Sequence, residues 1–224
     1  MSDEHQVTRR GFHADLGALQ QDLLRMGTLV ERTIHDAVKS LCEGDLALAE
    51  RIRDEDDVVD WMELDIQNHC LTLLALQQPM AKDLRVIGTV LKAVTDLERM
   101  ADHAVDIAKV VLRIQGEPLI KPLIDIPRMA EISRRMLRQA LDAFVKEDVT
   151  AAETLSRMDD EVDHLFGQIF RELLVFMMED PRTIKQATHL IFVGQHLERI
   201  ADHATNLGEW VIYQVTGERK DLND

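Results

Sequence analysis

LERMADH, from Leu97 to His103, returns as LERIADH from Leu197 to His203. A repeated core segment has to keep only its apolar positions, yet this pair also keeps Glu, Arg, Asp and His. The repeat extends outward from there. Aligning Met26 with Met129 without gaps brings Arg32 onto Arg135, Ala37 onto Ala140, Asp45 onto Asp148 and Glu50 onto Glu153. It also brings Asp56, Asp57 and Asp60 onto Asp159, Asp160 and Asp163. Pro79 then corresponds to Pro181, and Glu98 to Glu198 after a small change in loop length. The chain is an internal duplication.

Helical periodicity fills each copy. Leu16, Leu19, Leu23, Leu24, Val30, Ile34, Val38 and Leu41 recur at spacings of three, four and seven, which predicts an amphipathic helix stopping near Gly44. Asp45 is a good N-cap for a second helix through Ile52, Val59, Met62, Ile66 and Leu73 as far as Gln78-Pro79, and a third continues to about Gln115. GEPLIKPLIDIP, beginning at Gly116, holds three of the five prolines and is the one convincing linker. The expected architecture is all-α: two pseudo-symmetric antiparallel three-helix bundles with six long helices, residues 1–118 forming the first and 119–224 the second.

Composition agrees and excludes several functions. Aromatics make up 4% of the 224 residues, and Leu, Ala, Glu, Asp and Arg dominate, a mixture that favours long helices. Forty-one acidic against 26 basic residues give a net charge of -15, which repels nucleic acid and anionic lipid and suits cations or basic protein surfaces. No secretory signal and no run of roughly 18 apolar residues is present, so a soluble cytoplasmic protein is expected. Cys42 and Cys70 lack metal or redox spacing, and the ten methionines read as core filler.

The acidic residues fall on stripes. Positions i and i+4 share a helix face, so Glu98, Asp102 and Asp106 line up, as do Glu198, Asp202 and Asn206; Asp56 pairs with Asp60, and Asp159 with Asp163. Like charges at that spacing cost a few tenths of a kcal/mol each, so stability alone does not choose them. Asp60 lies 18 residues before Gln78 and Glu98 lies 20 after it; Asp163 lies 17 before Asp180 and Glu198 lies 18 after it. Equal distances from a turn mean equal heights in a hairpin. Each half is therefore expected to gather four carboxylates, which either hold protons at raised pKa or bind a polyvalent cation. All-oxygen ligands suit Mg²⁺, Ca²⁺ or Mn²⁺, carboxylate clusters also hold iron, and a nearby His tilts the choice toward iron or zinc. A solvated face is the plain alternative for a single stripe; duplication at matching heights weighs against it. Arg99 and Arg199 are expected to pair with neighbouring carboxylates or with the partner helix, and His103 and His203 to sit outside the ligand set, behind it or facing solvent. Glu-x-x-x-Asp with His at i+5 does not fit the Glu-x-x-His of di-iron oxidases, and no P-loop, Gly-rich nucleotide turn or nucleophile elbow occurs, so no enzyme is expected.

QPMAKDLR at Gln78–Arg85 with DLERMADHAVDIA at Asp96–Ala108, LERIADHATNLGEWVIYQVTGE at Leu197–Glu218, and the opening TRRGFHADLGAL together resemble the PhoU family over nearly the whole chain. The resemblance implies two symmetric three-helix bundles. It also implies a negative regulator that links the phosphate-specific ABC transporter, through its ATPase subunit, to the phosphate-sensing histidine kinase. Such a protein is peripheral to the membrane only through its partners, and monomer and homodimer are both left open. Glu/Asp-x-x-x-Asp pairs in that family are associated with metal ions, iron or zinc clusters among them. Carried onto this chain, the candidate ligands are Asp56, Asp60, Glu98, Asp102 and Asp106 in the first half, with Asp159, Asp163, Glu198, Asp202 and Asn206 in the second. The metal stays open among iron, zinc, manganese and magnesium. Asn206 lacks a carboxylate, so the second site is expected to be weaker. A metal-storage bundle is the runner-up reading, and a self-associating scaffold the third.

Overall fold

A computed structural model of the chain describes residues 2–115 and 117–222, with side chains from residue 11 onward; Gly116, which opens the linker, and residues 1, 223 and 224 lie outside the described residues. Among the described residues there are helices and no strands. The first helix, α1 (Ser2–Glu43), stops where Gly44 takes φ 67°, a left-handed conformation that costs glycine nothing. Asp45 then caps α2 (Leu46–Asp54), its carboxylate accepting from the Leu48 N–H at 2.9 Å. After α3 (Asp57–Gln77), Gln78 at φ 45° and Pro79 reverse the chain into α4 (Ala81–Ile114). The second half repeats these devices. Following α5 (Asp125–Lys146), Asp148 caps α6 (Val149–Glu153) by accepting from the Ala151 N–H at 3.0 Å. Next come α7 (Leu155–Glu179), a single 3₁₀ turn at Pro181–Thr183, and α8 (Ile184–Thr216), which ends at Gly217 with φ 78°.

The three unbroken helices expected in each half do not form. The middle helix of each half is interrupted, at Glu55–Asp56 and at Thr154. The Glu55 N–H still reaches Arg51 O, but Val58 N–H bonds Glu55 O and Val59 N–H bonds Asp56 O, so one turn tightens to i→i+3 pairing and the ladder kinks. Every residue of DEDDVV is compatible with a helix, and only Glu55 (φ −93°, ψ 7°) leaves helical dihedrals. The linker is also shorter than GEPLIKPLIDIP suggests, because α5 starts at Asp125 and accommodates Pro127 in its first turn, where the missing N–H has no partner to lose. The linker is fastened to the core: Gln186 accepts from Ile120 N–H at 2.6 Å and donates to Pro118 O at 3.0 Å.

Helices α1, α4, α5 and α8 supply the centre, where Leu19, Leu23, Met26, Ile34, Leu97, Met100, Met129, Met136 and Leu197 are fully buried, and α3 and α7 flank them. One apolar cluster runs through both halves. The α4–α8 pair is the long seam between the copies. Thr89 Oγ1 donates to Trp210 O (3.2 Å), Arg85 Nε donates to Gln214 O (3.1 Å), His103 meets His196 (3.2 Å) and Asp96 meets His203 (2.9 Å). The two residue numbers of each pair add to the same total, the signature of antiparallel register. The midpoint falls between Arg99 and Met100 on α4 and between Arg199 and Ile200 on α8. LERMADH and LERIADH therefore cross each other on the pseudo-twofold axis. On its other side α8 packs closely on α7 through small residues: a Cβ on Gly208 would lie 2.6 Å from Leu155 Cδ1, and one on Gly194 2.9 Å from Phe166 Cδ2.

Candidate metal centre

In the first hairpin, residues at matching distances from the turn come together. On the outer side of the first half, Asp60 from α3 and Glu98 and Asp102 from α4 bring one oxygen each within 4.8 Å of one another. Asp56 stands beside them: burial raises its pKa, and the charges of Asp102, Asp60 and Asp57 raise it further. Glu98 is pushed up to about 7, first by burial and then by Asp102, Glu63 and Asp60, against the pull of Arg99. Its Oε2 is buried without a hydrogen bond, although Arg99 Nε lies 3.3 Å away. Arg99 also donates to Asp102 Oδ2 at 3.2 Å, the pairing expected of it. Sequence reading missed Glu63, which accepts from Thr95 Oγ1 and Gln67 Nε2 (both 2.8 Å) and so is held at the cluster's edge. Its only signal is the i+3 spacing from Asp60, and Phe166 replaces it in the other copy.

In the second half the counterparts Asp159, Asp163, Glu198 and Asp202 act on one another through their charges, with Asp159 buried more deeply than Asp56, but among the described residues no three of their oxygens come within 4.8 Å of one another. Asp159 is 8% exposed and its pKa is pushed up to about 7 by burial and then by Asp202, Asp163 and Asp160, with a Thr205 hydrogen bond opposing. Asp163, Glu198 and Asp202 are all raised, in each case chiefly by burial. Asp159 Oδ1 is buried with no partner, and Arg199 reaches Asp202 Oδ2 at 3.5 Å.

Two predicted residues go elsewhere. Asp106 turns toward α8, where its carboxylate groups with His103 and His196 and its Oδ1 accepts from Lys109 at 2.9 Å. Asn206 donates to Asp96 Oδ1 at 3.3 Å. The reason is helical geometry: 100° per residue keeps i+4 near the face of i but displaced by about 40°, enough over two steps to carry residues 106 and 206 from the outer hairpin to the seam. His103 and His203 also lie at this seam, half-buried, rather than in solvent. His103 is held down to about 4 by burial and by its neighbours His196 and His203, so it is neutral at ordinary pH.

Carboxylates forced together with orphaned buried oxygens have two stable conditions, protonated or cation-bound. Asp56, Asp60, Glu98 and Asp102 offer an all-oxygen donor set, as do Asp159, Asp163, Glu198 and Asp202, and both fit a hard or borderline polyvalent cation. No helix among the described residues is long and apolar enough to cross a membrane.

A family model described as the PhoU domain matches residues 23–111 and again 126–211. The phosphate-specific transport system accessory protein PhoU homolog of Clostridium acetobutylicum is 43% identical over 219 residues, covering 97% of this chain and 100% of that protein. Its counterpart of the same description in Deinococcus radiodurans is 39% identical, covering 95% and 100%. The crystal structure of PhoU from Pseudomonas aeruginosa superposes with a TM-score of 0.88 at 38% identity, covering 92% of this chain and 100% of that one. The phosphate transport system regulatory protein PhoU from Streptococcus pneumoniae gives 0.87 at 32%, covering 94% and 99%.

Proposed function

Since the chain belongs to the PhoU family, we propose that it is an accessory regulator of phosphate-specific transport, acting in the cytoplasm by binding partners rather than by catalysis. Its partners in this reading are the ATPase subunit of the phosphate ABC transporter and the phosphate-sensing histidine kinase, and the effect on uptake and signalling is negative. The single observation that carries the site is the pair of symmetric carboxylate clusters, each holding a buried oxygen without a partner. Asp56, Asp60, Glu98 and Asp102 hold one set of ions and Asp159, Asp163, Glu198 and Asp202 the other. A bound cation supplies neutralising charge and a link between neighbouring helices. The carboxylates fix α3 against α4 and α7 against α8, and thereby the orientation of the exposed apolar side chains that α3 and α7 carry. These are Trp61 (68% exposed), Leu64 and Leu71 on α3, and Phe170, Val175 and Met178 on α7. Trp61, Leu64 and Leu71, at i, i+3 and i+10, share one helical face. An apolar stripe beside an acidic cluster fits a partner surface with an apolar centre and a basic rim.

The test is Glu98→Lys/Asp102→Lys, introduced into a bacterial strain in which this chain replaces the resident family member. The expected result is loss of bound metal, weakened capture of the purified kinase, and a phosphate-starvation reporter that stays on in phosphate-rich medium. Unchanged metal content together with unchanged kinase binding overturns the reading.

A further inference from the structure

The pseudo-twofold axis provides an internal comparison, because each seam position on one side of it has a counterpart a hundred residues away on the other. On one side Asp96 is the hub of a closed network. Its Oδ1 meets His203 Nδ1 at 2.9 Å and accepts from Asn206 Nδ2 at 3.3 Å, and its Oδ2 accepts from Trp210 Nε1 at 3.2 Å. These polar groups satisfy one another, with the half-buried Trp210 ring beside them.

On the other side the same four positions hold His196, His103, Asp106 and Val110. His is common to both sides, and the other three positions differ. His196 stands for the hub carboxylate, Asp106 for the amide, and Val110 for the indole. The three ligand atoms of His103, Asp106 and His196 lie within 4.8 Å of one another, and the two Nδ1 atoms are 3.2 Å apart. Two nitrogens about 2.05 Å from one tetrahedral zinc ion are themselves separated by about 3.3 Å. The spacing thus matches a shared metal, whereas for an N–H···N hydrogen bond it lies at the long end of the usual range. Where the indole is missing, a cavity of about 130 Å³ opens beside Asp106 and His196. Lys109 and Arg113 line it too, so an open coordination position there faces a cationic wall and suits water or a small anion. Lys109 occupies only Oδ1 of Asp106, which leaves Oδ2 for a metal.

We propose that His103, Asp106 and His196 form a further metal site, separate from the carboxylate clusters, that takes a zinc-class divalent transition-metal ion and clamps α4 to α8 at the seam between the two copies. Two imidazoles and one carboxylate select zinc, ferrous iron or cobalt over magnesium and calcium. The ligands come from rigid helix interiors, His103 and Asp106 at i and i+3 on one helix and His196 opposite on the other, so little order has to be imposed on binding. The proposal does not depend on the regulatory reading or on the acidic clusters being occupied.

The experiment is zinc titration of chelator-stripped full-length protein, followed by imidazole ¹⁵N NMR and by calorimetry. To keep the acidic clusters out of the measurement, the background is Glu98→Gln/Asp102→Asn/Asp159→Asn/Asp202→Asn. One equivalent of Zn²⁺ is expected to move the Nδ1 resonances of His103 and His196 and to leave His203, held by Asp96, in place. His196→Gln is expected to weaken that equivalent by more than about 100-fold, beyond the 10–100-fold that loss of an outer hydrogen bond brings. Because the quadruple background could itself unfold, the NMR titration is repeated on the otherwise unaltered chain, where resonance identity alone separates this site from the clusters. A third variant, His196→Asp/Asp106→Asn/Val110→Trp, copies the closed side onto the open one and is expected to remain folded while losing the site. The proposal is overturned if the two histidine resonances do not respond to the first equivalents of zinc, or if His196→Gln binds as tightly as its parent.

Discussion

Replacing Glu98 with glutamine should make the metal-free protein more stable. The glutamate sits among Asp60, Glu63 and Asp102, and its pKa rises from 4.5 to about 7 on folding. A carboxyl that holds its proton more tightly when folded contributes full stability below pH 4.5, and that contribution is lost as pH rises through about 7. At pH 8 the whole penalty is present. At 1.36 kcal/mol per unit the shift corresponds to about 3 kcal/mol. Water reaches one side of the cluster, so about 1–2 kcal/mol is the figure to expect after screening. Glutamine keeps the shape and removes the charge. Urea unfolding followed by circular dichroism in excess chelator should show a gain of about that size at pH 8, or a rise in Tm of about 3–6 °C, shrinking toward zero near pH 4. Saturating metal should reverse the order, since the wild type gains a ligand that the variant lacks. Glu98→Gln being the less stable protein at pH 8 without metal, or the same difference appearing at pH 8 and pH 4, refutes the reasoning.

Other outcomes follow from particular contacts. Asp45→Ala and Asp148→Ala each remove a cap from equivalent helices and should each lower unfolding stability by about 1 kcal/mol in denaturant titration. Asp96→Ala strands His203, Asn206 and Trp210 together and should cost about 2–3 kcal/mol, with a shift in Trp210 emission measured in a Trp61→Phe background. Gly208→Ala puts a Cβ 2.6 Å from the fully buried Leu155 and should cost about 1–3 kcal/mol by thermal unfolding, whereas Gly17, with nothing within 4 Å of its Cβ position, should tolerate alanine. Leu197→Ala, at 0% exposure on the axis, should cost about 2–5 kcal/mol.

What the sequence made legible was local or repeated. Gly44, Asp45, Asp148 and Gln78-Pro79 act through their immediate neighbours, so helix ends were readable from them. The heights of Asp60 and Glu98 were readable because a hairpin converts distance from its turn into position, and the gathering of Asp60, Glu98 and Asp102 follows. Seam chemistry was not readable in the same way. His196 meets His103 and Asp96 meets His203 across 93 and 107 residues, through a register between α4 and α8 that no turn sets. A strict i+4 pattern puts Asp106 and Asn206 on the outer stripes, while a drift of about 40° at each of two steps carries them inward. The kink at Glu55 is not legible because DEDDVV, although poor in strong helix formers, holds no Gly or Pro to mark a break; one residue's dihedrals decide it.

The claim on which the proposed site depends is that the duplicated acidic clusters are metal ligands. Elemental analysis of protein purified without chelator or affinity metal tests it most directly, comparing the wild type with Glu98→Gln/Asp102→Asn and with Asp159→Asn/Asp202→Asn. Ligation predicts metal in the wild type and a loss in each variant confined to its own cluster. Metal-free wild type that also stays metal-free after incubation with iron, zinc and manganese, or metal content untouched by both pairs of substitutions, would contradict it.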